Sequence, residues 1–125
     1  MPIRVVLIED NDAFRQALEL LLELRGDIEI VAADSSGDRA VELCREQAAD
    51  VLMVDYRLPG PDGVQVARRV RAECPAVAVV VLTAAAGDRE IEALLAAGAV
   101  ACVGKDEPLD VIVEAVQRAA AVGSS

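Results

Sequence analysis

The sequence predicts a single α/β domain, a doubly wound parallel sheet of five strands with helices on both faces. Three observations predict it. Runs of β-branched residues alternate five times with segments of helical period. The 125-residue length suits one domain around one core. The chain is 54% apolar and 27% charged, which places it among globular rather than disordered sequences.

The elements follow in order. The first strand lies at about 4–9, around Val5-Val6-Leu7-Ile8. The first helix covers about 12–25, opened by the N-cap candidates Asn11 and Asp12 and closed by Gly26. Phe14, Leu18, Leu21 and Leu22 share one face of it. The second strand, Ile28-Glu29-Ile30-Val31-Ala32-Ala33, alternates in part, as an edge strand does. The turn Ser35-Ser36-Gly37 leads to a helix at about 38–48. The third strand, about 50–55, runs into Arg57-Leu58-Pro59-Gly60-Pro61-Asp62-Gly63, too rich in proline and glycine for helix. The third helix, about 64–73, stops at Pro75. A strand at about 77–82 precedes a helix at about 88–97 with Gly98 at its end. The last strand is about 99–103, and the last helix, about 109–121, begins after Pro108. The domain is expected to occupy 1–122, with 123–125 as a tail or the start of a linker.

The chemistry gathers at one edge. Four apolar runs each end in a polar group: Ile8 in Glu9-Asp10, Val54 in Asp55, Leu82 in Thr83, and the Val100–Val103 run in Lys105, the one lysine of the chain. In an open parallel sheet, ligands bind outside the carboxyl ends of the strands. Each residue alone has an ordinary explanation, since loops begin where strands end and Asp10 could cap a helix. Together they deliver three carboxylates, a hydroxyl and an ammonium to one crevice. Clustered carboxylates repel unless a cation joins them. Mg²⁺ takes a few carboxylates together with waters and phosphate oxygens. A carboxylate can serve as nucleophile and hold an acyl phosphate, and the transferred phosphoryl needs its oxygens neutralised.

Other classes are disfavoured. The net charge is -10, so Arg68-Arg69-Val70-Arg71 reads as a solvated helix face rather than a nucleic-acid contact. Cys44, Cys74 and Cys102 lack metal-ligand spacing and there is no histidine, which argues against zinc. Buried reduced thiols point to the cytosol. Met1-Pro2 runs straight into strand, so no signal peptide is expected, and the apolar runs are too short to span a bilayer.

Leu7-Ile8-Glu9-Asp10, Asp55 through Gly63, Leu82-Thr83-Ala84, and Ala97-Gly98-Ala99 running on to Lys105 occur in an order and spacing that resemble the receiver domain of bacterial two-component response regulators. The resemblance covers essentially the whole chain. It implies the flavodoxin-like strand order 2-1-3-4-5. It implies a phosphoacceptor switch, not an enzyme acting on other substrates, that takes a phosphoryl group from a partner histidine kinase onto Asp55. Glu9, Asp10, Asp55 and the backbone carbonyl of Arg57 would hold Mg²⁺, Thr83 and Lys105 would bind phosphoryl oxygens, and the small Ala84 would leave room. Lys105-Asp106-Glu107-Pro108 before a helix is similar to receivers that precede a helix-turn-helix domain. The resemblance therefore implies a cytoplasmic protein in transcription regulation, reaching DNA only through a domain outside this chain, often as a homodimer, with no membrane contact.

One position departs from the family. Cys102 stands where receivers usually carry a Tyr or Phe that turns inward on activation. A small buried filler is expected there, with the switching movement carried by Ala84-Ala85-Ala86-Gly87. A phosphorylation-independent interaction module is the alternative that this departure leaves open. A phosphatase of the haloacid-dehalogenase type uses similar groups, but its nucleophile lies in an Asp-x-Asp on the first strand; here position 57 is Arg and the acidic pair comes first.

Overall fold

The computed structural model describes residues 1–84 and 87–123. Ala85, Ala86, Ser124 and Ser125 lie outside the described residues, and with them half of the four-residue stretch expected to carry switching. The element order is β1 (Ile3–Ile8), α1 (Asp12–Glu23), β2 (Ile28–Asp34), α2 (Ala40–Glu46), β3 (Val51–Asp55), α3 (Gly63–Glu73), β4 (Ala78–Thr83), α4 (Asp88–Ala96), β5 (Ala99–Gly104) and α5 (Leu109–Gly123). All five strands pair in parallel, in the order β2-β1-β3-β4-β5.

Side chains alternate across a strand, and the apolar runs therefore feed both faces. Val5, Leu7, Met53, Val80 and Leu82 face α1 and α5, meeting Leu18, Leu22, Ile112, Val113 and Val116. Val6, Ile8, Leu52, Val54, Val79 and Val81 face the other way, onto Leu43, Cys44, Val66, Val70 and Leu94 of α2, α3 and α4. The continuous apolar runs of β1, β3 and β4 are thus explained by burial on both sides.

Local signals set the helix ends. Asn11 caps α1, its Oδ1 accepting from Phe14 N at 2.9 Å. Asp62 and Gln65 form a reciprocal capping box on α3, with Gln65 N to Asp62 Oδ1 at 2.9 Å and Asp62 N to Gln65 Oε1 at 3.0 Å. Gly26 and Gly98 take positive φ just beyond α1 and α4. α5 begins directly after Pro108, as expected, and runs through Gly123.

Two expectations about packing need correction. Leu21 is 43% exposed, while Leu18 and Leu22 are buried. One turn of helix carries Leu21 about 60° away from Leu18, to the flank of the stripe, where it lines a shallow notch against Leu109 and Ile112. Cys102 is half-buried rather than a sealed filler. The cause is its strand: β5 is an edge strand, and its neighbour Val100 is exposed as well.

Candidate functional site

The register brings the strand ends level. Ile8 pairs with Val54, Asp55 with Leu82, and Thr83 with Gly104. Glu9, Asp55, Thr83 and Lys105 consequently meet at the carboxyl edge of the three central strands and β5. Lys105 N donates to Thr83 O at 2.8 Å, continuing the β4–β5 ladder one step and fixing where the lysine leaves the sheet.

Glu9 is fully buried and Asp55 is 4% exposed. The Lys105 ammonium lies 2.6 Å from Glu9 Oε1 and 3.1 Å from Asp55 Oδ2. Asn11 N donates to Glu9 Oε2 at 3.0 Å, and Arg57 N donates to Asp55 Oδ1 across a long 3.4 Å. Asp10 stands exposed at the rim, and one oxygen from each of Glu9, Asp10 and Asp55 falls within 4.8 Å of the others. The Thr83 Oγ1 is buried and has no hydrogen-bond partner among the described residues.

The electrostatics follow from that arrangement. Burial pushes the Asp55 carboxyl up to about 6; Lys105 opposes this through its hydrogen bond and charge, and the Glu9 carboxylate adds to it. Burial alone would lower the Lys105 ammonium, but its bonds to Glu9 and Asp55 outweigh that and hold it above its ordinary value. Two buried carboxylates therefore face a single ammonium, with a third carboxylate at the rim. Such a cluster suits a small divalent cation with hard oxygen ligands. The unpartnered Thr83 hydroxyl suits an incoming oxygen, because a buried polar group without a partner is costly.

Glu9, Asp10, Asp55 and Lys105, all predicted from sequence, come together here, with Thr83 at the end of the adjoining strand and Arg57 joined to Asp55 through its N–H. Three further residues contribute in ways the sequence pattern does not announce. Arg15 Nη1 donates to the Glu9 carbonyl at 2.8 Å, and its Nη2 to Asp12 Oδ1 at 2.8 Å, bracing the start of α1 against the end of β1. Phe14 was assigned to the core face of α1, yet its ring also lies 5.1 Å from Lys105 Nζ. Helical spacing places Phe14 on the inner face, but only the tertiary fold brings Lys105 over it. Gly63, read only as a loop residue, proves tightly enclosed: a Cβ there would meet Tyr56 Cα at 2.8 Å and Asp55 O at 2.9 Å.

Two of the thiols, Cys44 and Cys102, are shifted away from the reactive thiolate. Burial, with Cys74 adding to it, pushes the Cys44 thiol up to about 12, and burial raises that of Cys102. No described helix is long and apolar enough to cross a membrane.

Comparison with known proteins identifies the family and the fold. The model of the response regulator receiver domain matches residues 5–117. The transcriptional regulatory protein LiaR of Bacillus subtilis is 32% identical across 94% of this chain and 56% of its own length. The nitrate/nitrite response regulator protein NarP of Escherichia coli is 30% identical across 98% of this chain and 57% of its own. The chain thus spans about half the length of the curated relatives it matches. Among solved structures, the signal receiver domain of NarL from Mycobacterium tuberculosis has a TM-score of 0.90 at 35% identity, covering 96% of this chain and 97% of that one. A two-component response regulator of the LuxR family from Aurantimonas has a TM-score of 0.92 at 27% identity, covering 98% and 87%. With a family match over most of its length and relatives of this likeness, the chain belongs to the receiver domains of response regulators.

Proposed function

We propose that Asp55 is the phosphoacceptor of this receiver domain. The observation that carries the reading is a buried carboxylate at the end of β3, set against the Lys105 ammonium and within reach of Glu9 and Asp10. An Asp55 oxygen attacks the phosphorus of a phosphohistidine on a sensor kinase. The P–N bond breaks, an O–P bond forms, and the imidazole leaves with a proton from solvent. Lys105 and the Thr83 hydroxyl take two phosphoryl oxygens as charge moves onto Asp55. Glu9, Asp10, Asp55 and the Arg57 carbonyl would hold Mg²⁺. Bound there, the ion supplies positive charge to the phosphoryl oxygens and relieves the repulsion among the carboxylates.

The chain acts on no other substrate and only assists its own phosphorylation and dephosphorylation. The receiver occupies 1–122, with 123–125 as a tail or the start of a linker, and its output is a DNA-binding domain outside this chain. The length of the relatives supports that arrangement, as does the name of a similar structure, a DNA-binding response regulator of the LuxR family from Staphylococcus aureus. The protein works in the cytoplasm, away from membranes, and forms homodimers when active. Incubation with acetyl phosphate and Mg²⁺ should add one phosphoryl group, recovered on the peptide that carries Asp55. A phosphorylated peptide lacking Asp55 overturns the assignment, and no uptake at all favours the phosphorylation-independent module.

The metal has its own test. A ligand that binds only the folded state stabilises it by mass action, about 2.7 kcal/mol at a hundredfold excess over Kd. Mg²⁺ should raise the melting temperature at pH 8. The effect should fade below about pH 6, because protonation of Asp55 removes a ligand. Asp10→Ala should erase the Mg²⁺ effect at little cost to the fold, since Asp10 is exposed. An unchanged wild-type melting curve in millimolar Mg²⁺ contradicts the site.

A further inference from the structure

We propose that Phe14 is a positioning residue for Lys105, holding the ammonium between its ring face and the two buried carboxylates. A closed circuit of contacts carries the inference. Asn11 N donates to Glu9 Oε2 at 3.0 Å, and Asn11 Oδ1 accepts from Phe14 N at 2.9 Å. The Phe14 ring lies 5.1 Å from Lys105 Nζ, and Lys105 Nζ returns to Glu9 Oε1 at 2.6 Å. The circuit begins and ends on the two oxygens of one carboxylate. The residue that caps α1 thus also sets where the ring stands.

The ring adds what the carboxylates cannot. A lysine has a flexible four-carbon stem and a compact charge, and two oxygens on one side leave that stem several rotamers. An aromatic face within about 6 Å attracts the cation through its quadrupole and adds a further contact to those with the carboxylates. Phe14 is itself held, being half-buried against the core on the α1 and α5 face. The lysine side chain keeps 20% of its surface, so the carboxylates alone do not enclose it. A positive charge already in place when the phosphoryl arrives needs no reorganisation during transfer. This last step rests on the reading of Lys105 as a phosphoryl ligand; the placement of the ammonium does not.

The single lysine gives a direct test. Lysine labelled with ¹³C yields one ε-methylene resonance in the full chain. In the wild-type protein its protons should be displaced upfield by the ring and should show cross-relaxation with the Phe14 ring protons. Phe14→Leu keeps an apolar side chain but has no π face, and should move the resonance toward that of free lysine. Phe14→Tyr should restore it. The phosphorylation rate of Asp55 from acetyl phosphate should fall about three- to tenfold in Phe14→Leu and recover in Phe14→Tyr. A lysine resonance unchanged by Phe14→Leu overturns the proposal. So does the absence of cross-relaxation in the wild type, a measurement that needs no variant to fold. If the wild type takes no phosphoryl at Asp55, the reading of the site's function fails, and the lysine resonance still decides the placement.

Discussion

Asp55→Asn is expected to abolish phosphoryl uptake while making the metal-free protein more stable above pH 6. The two effects share one cause. Glu9 and Asp55 are both buried and share one ammonium, so the folded site carries an excess of negative charge. The Asp55 carboxyl titrates near 6 in the folded protein, against an ordinary 3.8. Below about pH 4 the group is protonated in both states and contributes nothing. Between about 4 and 6 the folded state keeps a proton that the unfolded state has released, so stability falls as pH rises through that window. Above about 6 the penalty is complete, of the order of 3 kcal/mol. Asparagine cannot ionise, and its carbonyl can still accept from Lys105. The variant should therefore exceed the wild type by about 1–2 kcal/mol in denaturant midpoint experiments at pH 8 without Mg²⁺, and match it at pH 4. A variant less stable than wild type at pH 8 would mean that the Lys105–Asp55 ion pair outweighs the cost of burying the charge. Phosphoryl uptake by the variant would remove Asp55 from its role.

Much of this site is legible in the sequence because parallel strands make edges. Once Val5–Ile8, Val51–Val54, Val79–Leu82 and Val100–Val103 are read as strands, whatever follows each run must gather at one rim, and the rim residues then suggest their chemistry. The register confirms that geometry without adding to it, since Ile8–Val54 and Asp55–Leu82 are the pairings that level ends require. What pattern cannot supply is contact between side chains on different elements. Phe14 sits at a core position of α1 by period alone, and nothing in its neighbours announces Lys105, 91 positions away. Arg15 carries no signal in the sequence, and only the fold brings its guanidinium to the Glu9 carbonyl. Burial at edges is equally hidden. Leu21 and Cys102 are apolar residues at inward-looking positions, but one lies on the flank of its stripe and the other on the last strand. The loop after Asp55 is the opposite case: proline and glycine mark it as a loop, and only packing shows which glycine is indispensable.

Gly63 is that glycine. It opens α3 directly after the Asp62 cap, and its N–H donates to Tyr56 O at 2.9 Å, folding the loop back on the end of β3. A Cβ there would stand 2.8 Å from Tyr56 Cα and 2.9 Å from Asp55 O. Both are backbone atoms, so no rotamer change can make room. The neighbouring Gly60 differs: it takes positive φ, but open space surrounds its missing Cβ. Gly63→Ala must therefore push α3 away from the strand end or displace Asp55 and Tyr56. Overpacking of this kind costs about 1–3 kcal/mol, and the upper end is expected where only backbone can yield. The same displacement moves Asp55 relative to Lys105 and carries Arg57 with it. Gly63→Ala should thus lose about 3 kcal/mol of stability and, in whatever fraction remains folded at low temperature, most of its response to Mg²⁺. Denaturant midpoints measured with and without Mg²⁺ separate the two losses. A Gly63→Ala protein with wild-type stability and an intact Mg²⁺ shift would show that the loop gives way easily, and that the close approach of Gly63 to the strand end does not hold the site in shape.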